Sequence, residues 1–431
     1  MYYKYENDEL HWHNSNLPEL SGEIEKNLIK NFNYVGPYFL YHENILKTRL
    51  DIFNSSFVDS RFYYSVKSLS NTHILKLIKK YKSFGLDVVS GGEILRGLHS
   101  GFKGPDMVYA GVGKTEEEIK LGLKHNLKSF HVESVSEILQ IERVAASVGA
   151  KGPVTLRLNP DIAVDTHHYI MTGVEGSKFG INAGELRQAI SILKGSESLK
   201  LMGLQIHLGS QILDVNVYLQ GLDFLEKTAT DVEAELNMKI EYLSLGGGFG
   251  IDYNSVFTTD PSVEFPLVEL AKLLNQKTKK GHRIDFEPGR FISAHSGLLL
   301  THILYLKPRN DYTIAIADAG MNELIRPALY GSKHRILNLS RNSSNLENYD
   351  IVGPICESSD FFAKKISINK LKEGDGIVVA HAGAYGSVMS SNYNSRPYVP
   401  EFLVEGQNFT LIRKPQQIQD IYSLELTDSE S

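Results

Sequence analysis

Short apolar runs alternate with longer segments whose apolar residues recur every three or four positions, and this rhythm holds from about residue 44 to about 297. The apolar runs lie at 61–68, 83–90, 106–110, 129–133, 154–159, 203–209, 241–245 and 283–287, rich in β-branched and aromatic residues. Between them, 72–81, 116–125, 135–146, 183–193, 218–236 and 267–279 carry the helical period. Eight strands, each followed by a helix or by room for one, predict a closed (β/α)8 TIM-like barrel in preference to an open doubly wound sheet.

Outside this region the rhythm differs. Residues 1–40 hold short alternating segments, among them Pro37-Tyr38-Phe39-Leu40-Tyr41, that read as strands of a smaller domain. After 297, short strands at 298–306, 312–317, 350–353, 376–380 and 408–412 are separated by Gly, Asn and Pro turns with little helix. The expectation is an α/β protein: a barrel over 40–297 and an antiparallel β-sandwich domain built from 1–39 and 298–431.

Composition narrows the classes. A chain of 431 residues, 42% hydrophobic, can bury a large core and fits two domains. With 45 basic and 51 acidic residues, the formal charge of −6 gives no reason to expect nucleic acid or a membrane surface as partner. No run approaches the length of a membrane span and the first ten residues lack an apolar signal core, so a cytoplasmic protein is expected. Cys356 is the only cysteine, which excludes an intrachain disulfide and a zinc site built on several thiolates. The Ser-, Asp- and Glu-rich end after Leu424 reads as a frayed tail.

Candidate chemistry collects where a barrel keeps its active site, at the C-terminal ends of the strands. Those ends read Lys67, Ser90, Glu133, Arg157, His207, Gly246-Gly247-Gly248, and Glu287 with Arg290. Strand alternation places Lys67 with Tyr63 and Ser65 on an inner face, where burial makes an amine nucleophilic and fit for Schiff-base chemistry. A strand-end lysine reaching into water is the plainer alternative. The glycines after strand seven offer backbone amides for a phosphate, or simply a tight turn. Glu287 suits a protonated ring nitrogen and Arg290 a phosphate or carboxylate, although a structural Glu–Arg pair has the same sequence. His207 can stack on a flat ring with Ser210 donating to a phosphate, or be a satisfied core histidine; lacking a ligand-spaced partner, it does not suggest a metal. Together these groups describe a pyridoxal phosphate site. Farther along, Arg326 and Tyr330 suit a carboxylate, Cys356 and Glu357 pair a thiol with an acceptor for an ammonium, and Tyr385 sits in a glycine turn. A surface turn, a small buried thiol and ordinary packing are their structural alternatives.

The motifs in which these residues stand run in order along the chain. They are Tyr64-Ser65-Val66-Lys67, Asp87-Val88-Val89-Ser90-Gly91-Gly92-Glu93, Arg157-Leu158-Asn159-Pro160, Ser177-Lys178-Phe179-Gly180 and His207-Leu208-Gly209-Ser210-Gln211. Gly246-Gly247-Gly248, Glu287-Pro288-Gly289-Arg290, Arg326-Pro327-Ala328-Leu329-Tyr330, Gly353-Pro354-Ile355-Cys356-Glu357-Ser358, Ala384-Tyr385-Gly386 and Ser391-Asn392-Tyr393-Asn394-Ser395-Arg396 follow. In these the sequence resembles the fold-type III pyridoxal phosphate-dependent decarboxylases, most of all the diaminopimelate decarboxylases.

The resemblance implies roles. Lys67 would carry pyridoxal 5'-phosphate on its amine, His207 would stack on the ring and Glu287 would keep the ring nitrogen protonated. Asp87, Ser210, Gly246, Gly247, Gly248, Gly289, Arg290 and Tyr385 complete the cofactor set. Arg290, Arg326, Tyr330 and Tyr385 would meet the substrate, with Arg290, Arg326 and Tyr330 on its distal carboxylate and Glu357 on its distal ammonium. Cys356 would protonate the α-carbon, and Cys356 and Glu357 would reach in from the partner of a homodimer with shared sites. A decarboxylase of lysine or ornithine has no distal carboxylate to offer Arg326 and Tyr330, so the implied reaction is meso-2,6-diaminopimelate to L-lysine and carbon dioxide. A same-fold decarboxylase of another diamino acid or a carrier-bound amino acid is the alternative, and a non-catalytic regulatory homologue the second. An alanine racemase-like enzyme fits less well, given Cys356 and Glu287.

Overall fold

Eight short strands, each buried along nearly its whole length, pair side by side in chain order and all in parallel. They are β1 (Phe62–Ser65), β2 (Phe84–Val88), β3 (Met107–Tyr109), β4 (Ser129–Val132), β5 (Gly152–Leu158), β6 (Leu199–Ile206), β7 (Tyr242–Ser244) and β8 (Arg283–Asp285). The ring closes where Phe62 bridges Phe286 and the Tyr63 N–H donates to the Phe286 carbonyl (2.7 Å). The expected barrel is therefore present. These coordinates come from a computed structural model, which describes residues 2–160, 178–253, 264–278 and 281–426. Ser177 and Lys279, named above in a motif and a helical segment, lie outside the described residues.

Strand ends pass to helices through polar caps. Ser90, Thr115, Ser134, Asn182 and Asp214 each accept a backbone N–H of the first turn of the helix that follows. Such a cap stabilises by about 1 kcal/mol. It also explains the Asp87–Glu93 motif: Ser90 accepts the Glu93 N–H while the Glu93 carboxylate accepts the Val89 N–H, so half of the motif starts a helix.

The chain divides into two compact units, one of Leu50–Ile251 with Pro261–Phe291, the other of Met1–Arg49, Asp252–Asp260 and Ile292–Ser431. The first holds the barrel. In the second, one sheet runs in the order Phe361–Asn369, Leu346–Val352, Thr313–Ala317, Gly297–Pro308, Tyr38–His42, Glu401–Glu405, Asn408–Arg413. Gly376–Val379 also pairs with Gly297–Pro308, and Ile336–Asn338 with Gly376–Val379. Tyr38–His42 belongs to this unit because its neighbours on both sides are strands of that sheet.

Two features differ from the expectation. The sheet is mainly antiparallel, but Thr313–Ala317 with Leu346–Val352 and Glu401–Glu405 with Tyr38–His42 are parallel pairs. The start of the chain is not all strand. Tyr3–Glu6, Glu9–Trp12 and Ser15–Asn16 form a small sheet, and then Leu17–Phe32 is a helix. Asn16 caps it by accepting the Glu19 N–H, Pro18 occupies its first turn, and Leu17, Leu20, Ile24 and Leu28 bury one face against Trp12, Tyr38 and Phe402.

Candidate active site

At the end of β1 the chain turns tightly. Ser68 Oγ donates to the Ser65 carbonyl (2.8 Å) and the Leu69 N–H to the Val66 carbonyl (3.1 Å), making Val66–Ser68 a 3-10 turn. Lys67 stands on that turn and is exposed. This corrects the expectation of a buried lysine on the inner face of a strand: the strand stops at Ser65, so its alternation does not extend to Lys67. The ammonium is still close enough to act electrostatically on Asp87, Glu287 and His207.

Two buried carboxylates meet beside it. Asp87 faces Ser65 in register, and Ser65 Oγ donates to Asp87 Oδ2 (2.7 Å) while lying 3.2 Å from the Glu287 carbonyl. Glu287 follows β8 and is gripped through both oxygens: Ser244 Oγ donates to Oε1 (2.7 Å) and Gln205 Nε2 to Oε2 (2.9 Å). His131 Nδ1 lies 3.5 Å from Oε1. Burial raises the pKa of both carboxylates, and for Glu287 the neighbouring Asp87 adds to the effect. Asp87 Oδ1 is buried with no hydrogen-bond partner among the described residues.

His207, just past β6, is half-buried, and its Nδ1 accepts the Gly247 N–H (3.4 Å). Burial, then the charges of Arg157 and Lys67, hold its pKa well below the usual range, so the ring is neutral with its proton on Nε2. The glycine run is packed tightly. A Cβ on Gly247 would sit 2.2 Å from the Glu287 carbonyl oxygen, and Gly248 has φ +91°. The Gly246 N–H donates to Ser244 Oγ (3.2 Å), whereas the Gly248 N–H donates to no group among the described residues. Arg290 Nη2 donates to Ser210 Oγ (3.0 Å), tying the loops after β6 and β8 together. Gly289 lies under β1: a Cβ there would come within 3.0 Å of Ser65 Cβ. Glu133 and Arg157, from the ends of β4 and β5, form a buried pair at 2.9 Å, with the Arg157 guanidinium over the Phe179 ring (4.8 Å).

The other unit carries the remaining residues. Arg326 opens the short helix Arg326–Tyr330; it is buried and Tyr330 is half-buried. Cys356 and Glu357 are exposed, so the thiol is not a small core residue. The Cys356 N–H donates to Asn394 Oδ1 (2.9 Å), and Asp360 accepts the N–H groups of Ile355 and Met321 (2.7 Å each), pinning the loop on both sides. Tyr385 is half-buried with φ +58°. The sequence does not single out Gln205, Ser244 or Asp360. The first two stand two residues before His207 and Gly246, and a polar residue in step with a strand-end residue was the available signal.

The family model for the pyridoxal binding domain of pyridoxal-dependent decarboxylases matches residues 43–294. Over 396 residues the chain is 37% identical to a diaminopimelate decarboxylase of Haemophilus influenzae, covering 91% of this chain and 93% of that protein. The crystal structure of diaminopimelate decarboxylase from Helicobacter pylori complexed with L-lysine matches with a TM-score of 0.86 at 36% identity, over 93% of this chain and 98% of that one. The crystal structure of diaminopimelate decarboxylase from M. jannaschii in co-complex with L-lysine matches with a TM-score of 0.87 at 27% identity, over 99% of this chain and 98% of that one.

The chain belongs to the diaminopimelate decarboxylase family. Members are pyridoxal phosphate-dependent carboxy-lyases, and this chain is one, acting on an amino acid. The barrel residues fit that cofactor: an accessible amine, a neutral flat imidazole, an amide left for an anion, and two desolvated carboxylates to which a cationic ring nitrogen is complementary. Among the described residues no helix is long and apolar enough to cross a membrane.

Proposed function

We propose that this chain decarboxylates meso-2,6-diaminopimelate to L-lysine, the last step of lysine biosynthesis, as a cytoplasmic homodimer with shared sites. The observation that carries this is Glu287, buried at the barrel's C-terminal end with both oxygens held by donors beside Lys67 and neutral His207. The relatives' names and their complexes with L-lysine support the substrate.

Pyridoxal phosphate supplies an electron sink for the pair left on the α-carbon when carbon dioxide departs. Lys67 would hold it through its amine, and His207 would stack on its ring, where a neutral imidazole adds no charge. Glu287 would pair with the ring nitrogen, whose positive charge would favour the carboxylate form against the burial that raises its pKa, while Ser244 and Gln205 hold its two oxygens in place. Asp87 supports the same positive charge, and Ser210, Gly246, Gly247, Gly248, Gly289, Arg290 and Tyr385 serve the phosphate. Arg290, Arg326 and Tyr330 take the distal carboxylate, Glu357 the distal ammonium, and Cys356 Sγ delivers a proton to the α-carbon. Exposure of Cys356 and Glu357 suits their donation to a second copy's site.

Product analysis tests this. Holoenzyme is offered meso-diaminopimelate, L-lysine, L-ornithine and L-arginine separately; L-lysine formed from the first alone is expected. Turnover of another amino acid instead would reassign the substrate, and cofactor binding without turnover of any would favour a carrier-bound substrate. A protein that takes up no cofactor would point to a non-catalytic homologue. For the shared site, mixed Lys67→Ala and Cys356→Ala proteins should regain activity, and no recovery after verified subunit exchange sinks that part.

A further inference from the structure

The peptides of the glycine run after β7 differ in what holds them. The Gly246 carbonyl accepts the Glu287 N–H (2.9 Å) and the Gly247 N–H donates to His207 Nδ1 (3.4 Å), so both edges of that peptide are engaged. The Gly248 carbonyl accepts the Ile212 N–H (2.9 Å). Between them lies the peptide joining Gly247 to Gly248. Its carbonyl accepts the hydroxyl of Tyr218 (3.0 Å), on the helix Val215–Leu236, while its N–H donates to no group among the described residues. A trans peptide is planar, with its C=O and N–H pointing in opposite directions. Tyr218 therefore draws the carbonyl toward its own helix and turns the Gly248 N–H the other way. The hydroxyl is well held. Tyr218 is fully buried, its ring stacks on Phe249 of the same loop (4.9 Å between centroids, 7° between planes) and it meets Phe265 edge-on at 5.6 Å. Burial pushes its pKa well above the ordinary phenol range, so it stays a donor.

We infer that Tyr218 is a positioning residue for the cofactor's phosphate: by holding the Gly247–Gly248 peptide through its carbonyl, it aims the Gly248 N–H at the anion. The same hydrogen bond polarises the peptide and strengthens that N–H as a donor. Glycine on both sides leaves this peptide free to rotate once the hydroxyl is gone, so the hydrogen bond has a task that side-chain bulk does not perform here. Tyr218 acts from behind the loop, through the backbone. This inference rests on the proposed assignment of the glycine run to the phosphate.

The test titrates full-length, cofactor-stripped protein with pyridoxal 5'-phosphate and with pyridoxal, which has the same ring and aldehyde but no phosphate. The absorbance of the bound ligand reports each affinity. Tyr218→Phe keeps the stack on Phe249 and loses only the hydroxyl. In this variant pyridoxal 5'-phosphate should bind about tenfold more weakly while pyridoxal stays within about twofold. Should the stripped variant not stay folded, release rates of the two ligands from the loaded protein replace the titration, because a bound ligand stabilises the fold, and the same selective loss is expected. Equal weakening of both ligands, or of neither, overturns the positioning role. Ser210→Ala, on the adjoining loop and assigned to the same phosphate, separates the two levels. Selective loss there without selective loss in Tyr218→Phe refutes the inference and leaves the phosphate assigned to these loops, whereas no selective loss in either variant refutes that assignment itself.

Discussion

At the scale of single residues, the site depends on what sets the protonation of a buried carboxylate. Burial, with Asp87 beside it, lifts the Glu287 pKa to about 8. Against this stand the donors Ser244 and Gln205, one on each oxygen, with Lys67 and Arg157 acting at longer range. A hydrogen bond to a charged group contributes about 1.5–3 kcal/mol, so removing one donor is enough to shift the balance. Ser244→Ala should lower kcat by about tenfold or more while cofactor is retained, and the absorbance of the bound cofactor should titrate differently with pH. Steady-state kinetics with a spectral pH titration check this; unchanged kcat and spectrum would remove Ser244 from the mechanism. Both donors were open to sequence reading. Gln205 and Ser244 interrupt apolar strands in step with His207 and Gly246, but a single polar residue inside a strand carries less signal than a motif at its end.

At the scale of elements, legibility followed the length and regularity of the pattern. The barrel strands are readable because they are buried along nearly their whole length and the helices after the first six begin on side-chain caps. The helix Leu17–Phe32 was not read, because the strands and aromatic residues around it set the reading of the whole segment, although its Asn16-Leu17-Pro18 start is a plain cap signal. Lys67 reads as a strand residue for a similar reason: three residues of 3-10 turn leave no periodicity to detect. The loop Gly353–Asp360 shows a third limit. Its motif drew attention to Cys356 and Glu357, yet Asp360 shapes it, accepting two backbone N–H groups while Gly320 and Gly353 leave room for its oxygens. In Asp360→Asn one oxygen becomes an NH2 facing an N–H donor in a buried place. Cofactor binding should persist, kcat should fall about tenfold and Tm should drop by a few degrees, because at least one buried hydrogen bond is lost. Kinetics and a thermal melt on the holoenzyme decide, and full activity would mean that Asp360 does not set the loop.

Across the whole molecule, pH acts on stability through two buried populations of opposite sign. Burial holds His42 and His131 down to about 3, and depresses His207 and His295 as well. The unfolded chain protonates such histidines below about 6.5, so their stabilising effect is complete above that pH and is lost as pH falls toward the folded values. Buried carboxylates do the reverse. Burial raises Glu93 and Glu323 to about 7, so between about 4.5 and 7 the folded state binds protons that the unfolded state does not. Their contribution is favourable at low pH and is lost as pH rises through about 7. The two populations offset each other in the window from 5 to 6.5, and single variants should unmask each. His42 is neutral and packed edge-on against Trp12, with Nε2 3.0 Å from Asn14 Oδ1. His42→Gln keeps a donor there and cannot titrate, so relative to the parent it should gain about 1.4 kcal/mol per pH unit on acidification below about 6.5. Glu323, which accepts the Gly320 N–H at 2.7 Å, gives the opposite slope. Glu323→Gln mimics the protonated side chain, so its advantage over the parent should be largest above pH 7 and should shrink by about 1.4 kcal/mol per unit toward pH 4.5. Denaturant midpoints of the three proteins from pH 5 to 8 provide the measurement. Parallel curves for parent and variants would mean that neither group changes its protonation on unfolding. Slopes of the stated signs would assign the balance to these two side chains.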